Sequence, residues 1–414
     1  MAHDHGRWRT IARRRPVRIS AMHGGEMDYG NAIETRLAHF GEDEKLDGAV
    51  VPPLFQNSLF VFDRTEDLHY ALKENTHGKP FHYSRVGNPT LDLLERKLAD
   101  LEGMESGRIF PSGMSAMAFG AMGCVQAGSH AVIVDGVYGP LRALFEQYLS
   151  RFGVTYTFVD GRSFEAVADA VRPETTLIYM ESPTSLTFRL QDVEAITKLA
   201  KEKGIATMID STYNTPLHFQ GSKYGIDIVG HSLTKYVSGH SDVTGGALLF
   251  CEERLRRYVH NEGVLFGATA APFAAWLMTR GLRTMKLRLK QHEINANEVA
   301  AWLEGQSQVE QVHHIGLESY AQRDLFRKDY SGSGGIFAFV PKAQEKERVF
   351  AFCDALRLFG RGISWGGFES LVTCSQVQAI EMTEPVWYIR LFIGLEDVGD
   401  LIADLTQALP HLDG

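Results

Sequence analysis

Two neighbouring stretches decide the fold: Ala206-Thr-Met-Ile-Asp210, and Ile228-Val-Gly-His-Ser-Leu-Thr-Lys235 with its continuation Tyr236-Val-Ser-Gly-His240. Each opens as a short apolar run rich in β-branched residues and closes on polar, chemistry-bearing ones. Such runs read as strands buried on both faces, the signature of a mostly parallel sheet covered by helices. Ligands gather at the carboxyl ends of such strands. Asp210 ends one strand, and Lys235 follows the next one, 25 residues further on.

Working outward, the same texture recurs at Arg108–Phe110, Ala131–Asp135, Val154–Phe158, Leu177–Glu181 and Ala247–Phe250. Helical periodicity separates many of these runs, at Thr90–Leu101, Phe164–Val171 and Val193–Lys203. Asp135, Glu181, Asp210 and His231 all fall at predicted strand ends. Residues 268–304 read as one long helical region. Beyond it come a strand at Gly335–Val340, a helix near Ala343–Leu358, a strand at Val386–Ile393 and a helix at Val398–Leu409. The expectation is an α/β protein with a large, mostly parallel seven-stranded sheet domain and a smaller C-terminal α+β domain. The divisions predicted are a tail at 1–27, an N-terminal segment at 28–88, the large domain at 89–267, and the linking helix with the small domain at 268–414.

The chain has 414 residues, enough for two such units. A formal net charge of −9 argues against a broad nucleic-acid or anionic-membrane surface. No apolar run approaches the roughly 20 residues needed to span a bilayer. Four dispersed cysteines in mostly apolar surroundings read as free thiols in a reducing, cytoplasmic setting. The first 27 residues carry six arginines between Arg7 and Arg18, and Asp4 is the only acid before Glu26. That pattern fits a disordered tail or a start at Met22 or Met27, with a transit peptide as the alternative.

A lysine between hydroxyl residues, downstream of a strand-end carboxylate, has the make-up of a covalent pyridoxal 5'-phosphate site. The lysine amine can form a Schiff base with an aldehyde. The carboxylate keeps a pyridine nitrogen protonated. Phe110-Pro-Ser-Gly-Met-Ser-Ala-Met117 places a glycine turn at the start of an apolar helix, which suits a phosphate or is an ordinary N-cap at Ser112. Tyr138, in Gly136-Val-Tyr-Gly-Pro140, is either a stacking ring or a turn aromatic. Tyr83 and Arg85, in Tyr83-Ser-Arg-Val-Gly-Asn-Pro-Thr90, point the same way on an extended segment and could grip a phosphate. Arg390 sits inside an apolar strand and needs either a structural acid or a substrate carboxylate as partner. Ser364-Trp-Gly-Gly-Phe-Glu-Ser-Leu371 reads as a tight glycine turn with an indole beside a pocket. His313-His314 and His3/His5 lack a third ligand at suitable spacing, so no metal is expected. Neither a G-x-G-x-x-G fingerprint nor a P-loop is present, which disfavours dinucleotide and nucleoside-triphosphate enzymes.

Taken in order, these motifs resemble the Cys/Met-metabolism family of pyridoxal-phosphate enzymes, from Glu34-Thr-Arg-Leu-Ala38 to the C-terminus. The resemblance implies the fold type I PLP-dependent transferase fold and a homotetramer built from catalytic dimers. By position, it implies Lys235 as the cofactor-bearing lysine and proton carrier, Asp210 beside the ring nitrogen and Tyr138 on the ring. Gly113, Met114, Ser232 and Thr234 would bind the phosphate, with Thr212 a neighbouring contact and Tyr83 and Arg85 reaching in from an adjacent subunit. Arg390 would take the substrate α-carboxylate, supported by Ser364, with Trp365 and Ser185 also lining the substrate site.

Within the family the C-terminal half is most similar to cystathionine β-lyase, as in methionine biosynthesis by transsulfuration. Trp365 stands where γ-acting members usually have leucine, Ser185 where they have asparagine, and Ile363 where they often have glutamate. The implied reaction is α,β-elimination on a sulfur amino acid such as L-cystathionine. Against this, the loop from Tyr83 to Thr90 is more like the γ-acting members. Val86 also replaces an arginine that holds the distal carboxylate in several cystathionine-handling members. The alternatives are therefore γ-synthase, γ-lyase or O-acylhomoserine sulfhydrylase activity. A non-catalytic assembly or regulatory protein on the same scaffold would have little reason to keep Lys235, Asp210, Arg85 and Arg390 together.

Overall fold

The computed structural model describes residues 32–42, 45–73 and 80–413. The Arg-rich segment at 1–27 and the histidines within it lie outside the described residues. Seven strands build the larger sheet: β1 (Ser106–Phe110), β2 (His130–Val134), β3 (Thr155–Val159), β4 (Thr175–Glu181), β5 (Ala206–Asp210), β6 (Ile228–Ser232) and β7 (Gly246–Phe250). Their spatial order is β1-β7-β6-β5-β4-β2-β3. Every pairing is parallel except those of β7, which runs antiparallel to both β1 and β6. The expected mostly parallel, seven-stranded sheet is thus present.

Burial explains the strand sequences. All five residues of β2 and of β7 are buried, so these strands are apolar throughout instead of alternating. The helices on either face show ordinary start and stop chemistry. Asn88 caps Pro89–Glu102 by accepting the N–H of Thr90, and Gly103 ends it in the left-handed region at φ 72°. The helix Val193–Lys203, capped by Asp192, coincides with the sequence expectation.

A second sheet of five strands follows: β8 (Val309–His313), β9 (Ile336–Pro341), β10 (Gly360–Arg361), β11 (Leu371–Val377) and β12 (Val386–Phe392), in the order β10-β11-β12-β9-β8. It carries its own core of Phe337, Phe339, Phe352, Ile389, Leu391 and Leu401. The sequence reading missed β8, β10 and β11, whose sides are partly exposed and lack long apolar runs.

The stretch 268–304 is not one helix. It divides into Pro272–Leu282 and Met285–Glu304, with Thr284 at φ −109° and ψ 4° between them. Just before the break the chain packs tightly: a Cβ on Gly281 would lie 2.3 Å from the Val237 carbonyl oxygen and 2.4 Å from that of Ser238. Arg288 then stitches the break to the loop after Lys235, with Nη1 donating to Tyr236 O and Nη2 to Gly281 O, each at 2.8 Å. The helical linker therefore anchors the lysine loop from below.

Candidate active site

The carboxyl ends of β4, β5 and β6, the first turn of the Gly113–Met122 helix and the loop before β11 surround Lys235. The lysine sits in a turn that leaves β6 at Ser232, closed by Lys235 N–H donating to Ser232 O at 3.2 Å and Gly239 N–H donating to Lys235 O at 2.9 Å. Its Nζ donates to Ser364 Oγ at 2.8 Å and lies 5.3 Å from the Trp365 ring centre. Burial first, and the positive charge of Arg390 second, push the amine down to about 8, against an opposing pull from Asp210. An amine near 8 is available in its neutral form close to physiological pH.

Gly366 explains how a small-domain loop comes so close. It adopts φ +91°, and a Cβ there would stand 2.8 Å from Lys235 Cα and 2.7 Å from its carbonyl carbon. Only glycine satisfies both the backbone conformation and the approach. The glycine turn read from sequence is thus the clamp that sets Ser364 and Trp365 against the lysine.

Asp210 ends β5. Its Oδ1 accepts the Thr212 N–H at 2.9 Å and the Thr212 hydroxyl at 2.5 Å, while Thr212 Oγ1 accepts the Ser232 N–H at 2.8 Å. Burial raises the Asp210 carboxyl above its ordinary range; the two Thr212 bonds and the electrostatic influence of the nearby His231 and Lys235 oppose the rise. A cationic group brought beside it would pull it back towards the ionised form. His231 turns away from this cluster, its Nε2 3.2 Å from Glu102 Oε2.

Ser112 caps the Gly113–Met122 helix by accepting the Ser115 N–H at 3.1 Å. The N–H groups of Gly113 and Met114 belong to the first turn, which has no partners within the helix and carries the positive dipole end. A Cβ on Gly113 would fall 2.5 Å from Ser232 Oγ, so the helix start and the end of β6 form one cradle that a side chain would fill. Thr234 is bound to Gly245 instead, donating to its carbonyl at 3.3 Å and accepting its N–H at 3.0 Å. It reaches the cradle only by exchanging those bonds.

Arg390 projects from β12, half-buried, with Nη2 donating to Ile363 O at 2.8 Å and approaching Ser364 O at 3.5 Å. No carboxylate among the described residues pairs with it. Burial holds the guanidinium down to about 10. The structural-acid alternative therefore finds no partner among the described residues. Tyr138, 46% exposed, is close enough to Arg390 to affect it electrostatically.

Two expected residues are not joined to this group within the chain. Arg85 donates to Val264 O at 2.9 Å and lies 5.6 Å from the Tyr83 ring centre; no described hydrogen bond or ion pair links either to Lys235. Ser185 hydrogen-bonds the buried Glu181 at 2.5 Å. The sequence reading placed Glu181 at a strand end but gave it no role. Its pairing with Tyr138 and Asp210 was visible only once the register of β4 and β5 was known.

An amine, a strand-end carboxylate, an anion cradle, an exposed ring and an unpaired arginine together fit pyridoxal phosphate and an amino acid. The family model for Cys/Met metabolism PLP-dependent enzymes matches residues 34–410. The chain belongs to that family. Its cofactor is pyridoxal phosphate. It is 39% identical over 385 residues to a Rhizobium johnstonii protein provisionally named cystathionine beta-lyase, covering 91% of this chain and 95% of that protein. It is 37% identical over 396 residues to an L-methionine gamma-lyase of Porphyromonas gingivalis, covering 92% and 98%. Among solved structures it is similar to metB from Corynebacterium glutamicum, with a TM-score of 0.85, 31% identity, and 92% and 99% of the two chains covered. Among the described residues no cluster suits a metal ion, and no helix is long and apolar enough to cross a membrane.

Proposed function

We propose that this member of the family is a carbon–sulfur lyase that carries out α,β-elimination on a sulfur amino acid such as L-cystathionine, giving homocysteine and aminoacrylate, which one water hydrolyses to pyruvate and ammonia. The carrying observation is the Lys235–Ser364–Arg390 arrangement. An amine with a pKa near 8 is hydrogen-bonded to Ser364 at 2.8 Å, and the Arg390 guanidinium, without an acid partner among the described residues, is near enough to depress it. That spacing suits a substrate whose carboxylate and α-carbon must be presented together.

Lys235 would hold the cofactor, Asp210 would face its ring nitrogen, Tyr138 would cover its ring, and Gly113, Met114 and Ser232 would receive its phosphate. Thr212 supports Asp210, and Thr234 is the further phosphate candidate. When bound, pyridoxal phosphate supplies an electron sink for charge developing at the substrate α-carbon. Arg390 orients the substrate by its carboxylate. Lys235 Nζ, as the neutral amine, removes the α-proton. The same nitrogen or the Tyr138 hydroxyl then gives a proton to the departing sulfur. Trp365 would wall the pocket beside the Lys235 amine.

A homotetramer of catalytic dimers, placed in the cytoplasm, completes the reading, with Tyr83 and Arg85 serving the neighbouring site. Its support is the set of exposed apolar side chains on the N-terminal segment: Val50, Val51, Leu59, Val61, Tyr70 and Leu72. A solution mass near four times 46.1 kDa is expected; a monomer would refute that part.

A second reading, γ-chemistry, is supported by the Tyr83–Thr90 loop, which is more like the γ-acting members. Within it Val86 is buried and its carbonyl accepts Arg108 Nη1 at 3.2 Å, so it offers nothing to a distal carboxylate, which weakens cystathionine itself and is compatible with a monocarboxylate thioether. The test is to incubate the purified holoenzyme with cystathionine, cystine, methionine, and O-acylhomoserine plus cysteine, and to identify each product. Pyruvate carries the β-reading; 2-oxobutyrate or newly made cystathionine would replace it with γ-chemistry.

A further inference from the structure

β4 ends in Glu181, which faces Asp210 across the parallel β4–β5 register and is 7% exposed. Both of its carboxyl oxygens are engaged. Oε2 accepts the main-chain N–H of Tyr138 at 2.7 Å, and Oε1 accepts the Ser185 hydroxyl at 2.5 Å. Tyr138 opens the short Gly139–Ala143 helix without a side-chain cap bond: its carbonyl accepts the Leu141 N–H at 2.9 Å and the Arg142 N–H at 3.3 Å, while its own N–H points to Glu181. The Glu181 carboxyl is the acceptor that ties it to the sheet.

We propose that Glu181 is a positioning residue of the elimination site: braced by Ser185, it fixes Tyr138 through the main-chain N–H and so sets the ring's place near Arg390. This rests on the reading of Lys235, Asp210 and Tyr138 as the reacting group. Two features favour position over charge as the means. The carboxyl reaches the backbone of Tyr138, so it governs where the residue sits whatever the ring does. Burial, and next the neighbouring Asp210, raise Glu181 to about 8, while the Ser185 and Tyr138 bonds oppose that rise. A neutral acid still accepts the Tyr138 N–H through its carbonyl oxygen, and glutamine reproduces that acceptor.

The experiment uses full-length holoenzyme with Glu181→Ala, Glu181→Gln and Ser185→Ala, checked for folding by circular dichroism. Hydrogen–deuterium exchange is followed in the peptide containing Tyr138, in parallel with pyruvate release. In Glu181→Ala the Tyr138 amide should exchange faster. Its kcat should fall about 10²-fold, the cost of a displacement near 1 Å, with KM changing much less. Glu181→Gln should keep the slow exchange and recover most of the lost kcat. Ser185→Ala should show an intermediate rise in exchange, which keeps the inference open to refutation if Glu181→Ala does not fold.

Unchanged exchange in Glu181→Ala would overturn the anchoring. Faster exchange with parental turnover would overturn its importance to the reaction. A Glu181→Gln variant as impaired as Glu181→Ala would show that charge, not position, is what the residue supplies. Should the parent itself release no pyruvate from any thioether, the lyase reading fails, while the exchange data still decide whether Glu181 anchors Tyr138.

Discussion

Replacing Arg390 with methionine gives the sharpest test of the site, because the structure sets both the size of the loss and a second, independent signature. The guanidinium has no carboxylate partner among the described residues and hydrogen-bonds only main-chain oxygens of Ile363 and Ser364. If its partner is the substrate carboxylate, truncation leaves that carboxylate unpaired in the pocket, a cost of about 2–5 kcal/mol. The Ile363 and Ser364 bonds lie where solvent still reaches, which favours the lower half of that range. At 1.36 kcal/mol per decade, kcat/KM for pyruvate release should fall about 30- to 300-fold. Cysteine carboxamide, which lacks the carboxylate, should lose little further in the variant. The second signature concerns Lys235. Its amine lies near 8 because of burial first and Arg390 second. Removing the positive neighbour withdraws one depressing influence, so the amine must titrate at higher pH. Acylation of Lys235 in the cofactor-free chain, followed by mass spectrometry across pH, reads this directly. A drop below about tenfold, under the 2 kcal/mol floor of the estimate, would refute the carboxylate role. A Lys235 titration that stays put or moves down would refute the electrostatic coupling.

Other expectations follow from single contacts. Lys235→Ala should lose at least about 10²–10⁴ in elimination rate as the general acid–base goes, and its cofactor absorption should no longer be fixed by borohydride; full turnover would sink the assignment. Gly366→Ala places a Cβ 2.7–2.8 Å from the Lys235 backbone at φ +91°, so thermal melting should show a loss of about 1–3 kcal/mol from strain alone. A melting curve matching the parent would mean the loop can retreat from the lysine. His314, fully buried, is pushed down by burial to about 3 from an ordinary 6.5. Its folded value is depressed, so the unfolded chain binds the extra proton first. Its contribution is complete above pH 6.5 and falls away as pH drops towards 3, by about 2 kcal/mol at pH 5. His314→Leu should therefore flatten the loss of urea stability between pH 7 and 5; an unchanged slope would place that loss elsewhere.

Much of this was legible from residue order because the chemistry sits where the chain changes texture. Asp210 and Lys235 stand out against apolar strands, and Arg390 is conspicuous inside Trp387-Tyr-Ile-Arg-Leu391 for the same reason. Apolar runs of β-branched and aromatic residues announce strands, which is why all seven strands of the larger sheet were anticipated, the half-exposed edge strand β3 (Thr155–Val159) among them, while β8 and β11, which lack such runs, were not. What order could not supply was pairing. That Arg390 has no acid partner among the described residues is a property of three-dimensional neighbours, as is the diversion of Thr234 to Gly245.

Glu181 shows the limit most clearly. Its importance lies in a main-chain bond to a residue 43 positions earlier, and a main-chain N–H leaves no side-chain signature at Tyr138 to betray the link. Gly366 is the converse case. Glycine in Ser364-Trp-Gly-Gly367 reads as a turn, and its positive φ bears that out, but the turn matters because the missing Cβ lets a small-domain loop rest on the Lys235 backbone. A substitution there would alter the lysine's surroundings without touching any residue of obvious chemistry. The surroundings of the lysine follow the same logic. Trp365 and Ser364 are carried by the loop that Gly366 seats against Lys235, and Ser185 bonds the same Glu181 carboxyl that holds the Tyr138 N–H.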